Sequence, residues 1–470
     1  MGVHESGPIT RAAAAVREGR ISATSLTLQS IARLEGHQAS LNVLAEATFE
    51  EALEYARHFD ASPQPLPLAG VPTLIKDLTD LAGHATRHGS LPLANRGPAP
   101  SDGLITQRLR AAGAIVVGKA TMPEFAIEGF TANLLTGVTR NPWHLDYSPG
   151  GSSGGSAAAL SAGLALVASA TDGGGSIRIP ASLCGLVGLK PTNGVVGRWP
   201  AHDWIDYSTD GPFATSVDDL RLLFQVMAGP VAGDPSAPPR SAYERPRATE
   251  RPMTLFAAPR TSPLGPLPAA VARAFCESVD AFADLHGAAV TWLEAEGFFP
   301  DGDPDLDWFT VTSAEHVTSL GRDWVGEHMN DFHVATREFL GAGLEVSIEE
   351  YLSARRRRFL YVRTMDELLG AHGLLLTPTV ASAGWLADGR LHEETMVHGL
   401  PPEVYSTAMQ NITGNPAISL PHGHLPTGLP FGLQVTAPHF EDEWLLDIAD
   451  HFETAYPWAR LAPGYVDFEI

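Results

Sequence analysis

Between Pro149 and Pro191 the chain sets serines inside two glycine clusters, Pro149-Gly-Gly-Ser152-Ser153-Gly-Gly-Ser156 and Thr171-Asp172-Gly173-Gly174-Gly175-Ser176-Ile177-Arg178, joined by an Ala/Leu/Val run. Each glycine within a helix or strand costs about 0.5–1 kcal/mol relative to alanine. Seven of them flanking serines therefore exclude regular elements there. They suit a place where backbone N–H groups must approach a substrate oxygen closely.

Of the 31 basic residues, 28 are arginine and only Lys76, Lys119 and Lys190 are lysine. Arginine does not give up its proton in a protein, whereas a buried lysine can be pushed to neutrality. For Lys119 and Lys190, codon preference explains the residue as well as function does. Lys76 ends the apolar, β-leaning run Leu68-Ala-Gly-Val-Pro-Thr-Leu-Ile-Lys76-Asp77, which would carry it into the interior. Burial lowers an ammonium pKa and makes a base near neutral pH. The other reading is a buried ion pair with Asp77 or Asp80, which would keep Lys76 charged and inert.

These residues resemble the amidase signature family of serine hydrolases. The likeness covers Leu68 to Asp77, Gly118 to Phe125, Asn141-Pro142-Trp143, Pro149 to Ser156, Asp172 to Ala181 and Gly185 to Thr192. It continues in family order through Gly211-Pro-Phe-Ala214, Leu376-Thr-Pro-Thr379, Thr413-Gly-Asn-Pro-Ala417 and Gly428-Leu-Pro430. The resemblance implies a triad of Lys76, Ser152 and Ser176, with Ser152 on a cis peptide bond between the other two. Ser176 would attack an acyl carbonyl and form an acyl-enzyme, a chemistry in which lysine replaces the usual histidine base. Gly173, Gly174 and Gly175 would supply the oxyanion hole. Glycine at 173 departs from the many relatives that carry threonine or an aliphatic residue there, which suggests a looser or wider oxyanion loop. The form Asp-Gly-Gly-Gly-Ser-Ile-Arg-Ile-Pro-Ala is similar to the branch of 6-aminohexanoate cyclic-dimer hydrolases and related amidases and urethanases.

Around these residues, Asp172 and Arg178 have the spacing to pair and hold the nucleophile loop. Ser153 and Ser156 are expected to hydrogen-bond Lys76 or to cap a helix starting near Ser156, and Thr171 is ambiguous. Met122, Phe125, Phe130 and Trp143 are candidates for the pocket wall. The aromatics between 292 and 350, Trp292, Phe298, Phe299, Trp308, Phe309, Trp324, Phe332 and Phe339, either fill a core or line the pocket.

Two other activities stay open. Gly151-Ser-Ser153-Gly-Gly155 fits the G-x-S-x-G elbow of α/β-hydrolases, with His422, His424 or His439 as partner of Ser153. That elbow needs a preceding strand, and Asn141 to Pro149, with two prolines and an acid, reads as loop. A glutaminase-like subunit of a tRNA-dependent amidotransferase is the second alternative, although Val195 to Asp210 does not look like the corresponding family segment. The clusters lack a phosphate-binding G-x-x-x-x-G-K-[ST].

A net charge of −23 argues against nucleic acid and anionic membranes as partners. The expected partner is a small-molecule amide or carbamate, and a homodimer is the assembly allowed. Cys184 and Cys276 are too few for a disulfide framework and no cationic-apolar leader opens the chain, so a cytoplasmic location is expected. Met1 to Ser6 fits the loose myristoylation pattern, for which chance suffices. The 18 histidines are scattered, with no H-E-x-x-H, and neither metal nor cofactor is assigned.

The expected architecture is α/β, a large mixed, twisted sheet covered by helices on both faces in a single compact domain. The signature core spans about 60–228 and 370–450, an exposed linker about 229–252 and a variable substrate-pocket region about 253–369. Helices are expected at Ser22 to Glu35, behind a capping serine, at Phe49 to His58 and at Ala269 to His286. Ala157 to Ala170 reads as one helix behind the site. Strands are expected at Ala114 to Gly118, Leu186 to Leu189, Leu374 to Pro378 and Ala417 to Pro421.

Overall fold

The computed structural model describes residues 6–200, 204–244, 251–261, 267–294, 298–299, 302–391 and 404–470. Met1 to Glu5 of the myristoylation pattern and residues 245–250 of the linker lie outside them.

Local signals set the first elements. Ser22 Oγ accepts the Ser25 N–H and opens the helix Ala23–Leu41, which Asn42 closes in the left-handed conformation. The run that ends at Lys76 becomes a strand buried at every position, as expected of the centre of a parallel sheet. Strands are numbered along the chain: β1 Leu44–Ala47, β2 Pro72–Lys76, β3 Ile115–Ala120, β4 Ala132–Asn133, β5 Gly137–Val138, β6 Val167–Ala168, β7 Ala170–Asp172 and β8 Val187–Lys190. They continue as β9 Thr209–Gly211, β10 Phe213–Ala214, β11 Thr254–Ala257, β12 Val290–Trp292, β13 Gly373–Pro378, β14 Ala417–His424 and β15 Pro430–Thr436.

Hydrogen bonding divides the mixed sheet into a four-stranded part, β1-β3-β2-β6, and a seven-stranded part, β10-β8-β14-β15-β13-β11-β12. β2 runs parallel to both β3 and β6. Parallel β12, β11 and β13 form one side of the larger part, and antiparallel strands form the rest. The stretch 253–369 thus divides in two. Its first half completes the sheet, and its second builds the helices Pro304–Leu320, Val334–Glu345 and Ile348–Leu369 around a separate aromatic core. Alternation along β15 covers both faces: Gly432 and Gln434 turn toward the helix Arg178–Cys184, and the intervening Leu433 and Val435 point the other way, into the main core with Phe275, Phe282 and Phe452.

The Ala157–Ala170 run is not one helix. It is the fully buried helix Gly154–Ser161 followed by β6 and the start of β7. Gly163, at φ 61, turns the chain out of the helix. In the linker stretch, 229–244 is mostly exposed, yet Tyr243 is buried and Gly229 bridges to Val196.

The helix Gly154–Ser161 approaches β3 closely because its first residues have no side chains. A Cβ on Gly155 would meet Thr121 Oγ1 at 2.3 Å and the Thr121 backbone N and O at 2.6 Å. Its φ lies outside the left-handed region, so space alone selects glycine. Gly155→Ala should therefore destabilise the protein by about 1–3 kcal/mol, the usual cost of overpacking, and displace Ser152 at the head of this helix. Urea unfolding together with turnover measures both effects, and an unchanged midpoint would contradict the packing argument.

Candidate active site

Lys76, at the end of β2, is fully buried. Its Nζ hydrogen-bonds Ser152 Oγ at 2.7 Å and Thr171 Oγ1 at 2.8 Å, and its backbone N–H donates to Ser169 Oγ at 2.8 Å. Neither nearby acid claims it. Asp77 pairs with Lys119 at 2.8 Å, and Asp80 accepts the Thr86 hydroxyl at 2.6 Å. Burial is the main influence on Lys76 and pulls its pKa down to about 7, against the opposing charges of Asp210 and then Asp172. All three lysines are fully buried. Lys190 is satisfied by Pro191 O and Asn193, so only Lys76 meets hydroxyls at the serine clusters.

Ser152 follows a cis Gly151–Ser152 bond, in the conformation that the resemblance implied. It shares a cavity of about 370 Å³ with Thr171, Gly173 and Ser176. Ser153 and Ser156 do neither of the things expected of them. Ser153 Oγ contacts Thr171 O at 3.4 Å and makes no capping bond, and Ser156 Oγ donates to Ser169 O at 3.0 Å. Both tie the helix to the chain at β7, because its first turn already lies against that backbone. Thr171, left ambiguous by sequence, is a direct partner of Lys76.

The loop carrying Ser176 is held by Asp172 and Arg178, both wholly buried. Asp172 accepts from Gly175 N at 2.7 Å, Ile177 N at 3.2 Å, Arg178 Nε at 2.9 Å, Arg178 Nη2 at 2.8 Å and Asn411 Nδ2 at 3.0 Å. Burial alone would push this carboxyl up. The charge and hydrogen bonds of Arg178, helped by Lys190 and Asn411, outweigh it and hold the group at about 2. Arg178 also donates to Gln410 and Gln434 Oε1, Thr407 O and Asn411 Oδ1. One oxyanion candidate is corrected here: the Gly175 N–H is already spent on Asp172. The N–H groups of Gly173, Gly174 and Ser176 donate to no protein acceptor among the described residues.

Of the four wall candidates only Phe125 lines this cavity. Met122 is buried beside the Asn133 side chain, and Phe130 packs with Trp385 and His333. Trp143 lies in a second cavity with His422 and His424, its Nε1 donating to Cys184 O. Burial in the matched segments could not separate wall from core. Among the later aromatics, Phe299, Trp308, Phe332 and Phe339 are buried in the second core, whereas Trp292 and Phe309 are exposed. Trp308 reaches the site, donating through Nε1 to Gly173 O at 2.7 Å. Trp204, Asp210, His88 and His316, none taken as a site residue from sequence, line the cavity.

The hydrolase elbow fails on geometry. Loop, not strand, precedes Ser153. His422 is engaged by Ser278, His424 by the Trp143 ring and His439 by Thr413 O. Among the described residues no three His, Cys, Asp or Glu are grouped to hold a metal, and no helix is long and apolar enough to cross a membrane.

Replacing Asp172 by asparagine leaves one oxygen where two serve five donors and strands the Arg178 charge. Breaking a buried pair in this way costs about 3–5 kcal/mol. Asp172→Asn should lose that much stability in denaturant unfolding, and a loss below about 1 kcal/mol would refute the pinning role.

Residues 25–299 and 309–446 match the family model described as Amidase. An acylamidase of Rhodococcus erythropolis is 32% identical over 487 residues, covering 97% of this chain and 96% of its own. A glutamyl-tRNA(Gln) amidotransferase subunit from a Synechococcus strain is 34% identical, with 94% of each chain covered. Among solved structures, a 6-aminohexanoate cyclic dimer hydrolase with bound substrate superimposes with a TM-score of 0.84 at 29% identity, covering 97% of this chain and 98% of its own. A bacterial aryl acylamidase gives 0.83 at 27% identity, with 95% of each chain covered.

Proposed function

The chain belongs to the amidase signature family and is an amide hydrolase, and we propose that it works through a covalent acyl-enzyme on Ser176 with Lys76 and Ser152 relaying the proton. The observation that carries this reading is the 2.7 Å contact of Lys76 Nζ with Ser152 Oγ, in a buried pocket whose cavity also holds Ser176. A neutral Lys76 takes the Ser152 proton while Ser152 takes that of Ser176, whose Oγ bonds to the acyl carbon. The oxyanion that forms is met by backbone N–H groups of Gly173, Gly174 and Ser176. Ser152 then gives its proton to the amide nitrogen, the C–N bond breaks, and Lys76 restores the Ser152 proton. Water gives one proton to the same relay as its oxygen bonds to the ester carbon; the bond to Ser176 Oγ then breaks, the relay returns that proton to Ser176, and the carboxylic acid leaves.

Small linear, aryl or cyclic amides are the proposed substrates, with carbamates and esters cleaved by the same acyl transfer. Similarity to an acylamidase and to a cyclic dimer hydrolase supports this range. The likeness to an amidotransferase component supports a second reading, as a glutaminase. Glutamine hydrolysis by the purified chain, absent under the first reading, separates the two.

Intact-mass analysis after fluorophosphonate treatment should show one adduct, lost in Ser176→Ala and retained in Ser153→Ala. An adduct mapping to Ser153 would overturn the assignment. Lys76→Ala should lower kcat by about four to six orders of magnitude, as loss of a triad member does, with the fold intact by circular dichroism.

Because the base must be unprotonated, kcat should rise about tenfold per pH unit below about 7 and level off above it. Asp210 favours the ammonium form, so Asp210→Asn should move this rise to lower pH. A rise that stays in place or moves to higher pH would contradict the electrostatic account.

A further inference from the structure

One wall of the cavity is a run of rings. His88 lies 6.2 Å from Phe125, Phe125 5.5 Å from His316, His316 5.8 Å from Trp204, and Trp204 5.6 Å from Trp308, which stands behind the nucleophile loop. The described chain has six non-glycine residues at positive φ, and His88, Phe125, Ala126 and Trp204 of these line this one cavity. Left-handed backbone under bulky side chains is costly and concentrates where a ring must be aimed.

Trp204 is aimed at the loop. Its Nε1 donates to Thr312 O at 3.1 Å, and Arg198 Nη1 donates to its carbonyl at 3.2 Å. The ring occupies the place a side chain at 173 would take: a Cβ on Gly173 would lie 2.2 Å from Trp204 Cε3 and 2.5 Å from Cζ3. Gly173 is outside the left-handed region, so its backbone would accept any residue. The ring alone demands glycine. Where sequence suggested a looser or wider loop, the space left by the missing side chain at 173 is filled by an indole.

We propose that Trp204 is a specificity-determining residue whose ring, lodged against Gly173, selects substrates carrying a planar aryl group beside the scissile carbonyl over those with a saturated ring of the same size. The proposal rests on Ser176 being the nucleophile. A flat ring can stack on the indole or meet its edge, and such pairs gain about two- to tenfold in affinity beyond area burial. A puckered cyclohexyl ring gains only the area.

The test compares kcat/KM for benzamide with cyclohexanecarboxamide and for acetanilide with N-cyclohexylacetamide. Wild type should favour the aryl member of at least one pair by about fivefold or more. Trp204→Leu should lower that ratio by about two- to tenfold while fluorophosphonate still labels Ser176, and Trp204→Phe, which keeps a ring face, should restore it. Gly173→Thr should also lower the ratio by displacing the indole. Should Trp204→Leu not fold, wild type alone decides, through tighter inhibition by phenylboronic than by cyclohexylboronic acid. Equal kcat/KM within both pairs, equal inhibition by the two boronic acids, or a ratio unchanged in labelled Trp204→Leu, overturns the proposal. Absence of labelling at Ser176 in wild type strikes the nucleophile assignment instead, and the proposal with it.

Discussion

The bidentate contact between Asp172 and Arg178 is the constraint on which the site depends. Neither side chain meets solvent, so each is tolerable only because the other is present and the remaining donors and acceptors are filled. Asp172 fixes Gly175 and Ile177 on either side of Ser176, and Arg178 anchors the helix that follows to β15. Ser176 therefore sits on a short loop with both ends fastened. Backbone N–H groups can keep their aim at a developing charge without reorganising when it appears.

A second balance acts on Lys76. Its environment must disfavour the ammonium enough to make a base, yet keep the amine bound to two hydroxyls. Burial does the first, and Asp210 and Asp172 limit how far it goes. Asp77, next in sequence, would have held the ammonium, but it is neutralised by Lys119. Two buried lysines thus serve opposite ends. One pairs directly with an acid, and the other meets two hydroxyls and feels its nearest acids only through space.

Much of this was legible in the sequence because local rules decide it. The apolar run to Lys76 could only be a buried strand, Ser22 caps the helix after it, and the glycines before Ser176 mark a loop near backbone. Gly154 and Gly155, expected to exclude regular structure, instead open a helix whose close approach to Thr121 leaves no space for a side chain on Gly155. Long-range packing decided the rest. Trp143 and Phe130 read as pocket aromatics, but their sequence segments say nothing about which face of the helix Arg178–Cys184 they meet. Trp204 stood in a segment without a matched motif. Its place against the loop is read only from the missing Cβ of Gly173, a residue 31 positions earlier. The helix expected over Ala157–Ala170 stops early because Gly163 enters the left-handed region, which composition alone did not require.

The partners of Arg178 carry a consequence for biosynthesis. Gln410, Asn411 and Gln434 lie 232, 233 and 256 residues further along the chain. A growing chain emerges with Lys76, Ser152, Ser176 and the Asp172–Arg178 pair, but without the amides that fill the arginine's remaining hydrogen bonds. The loop around Ser176 is therefore not fully fastened until the last third of the polypeptide has been made and β15 has joined the sheet, so its final geometry belongs to the end of folding.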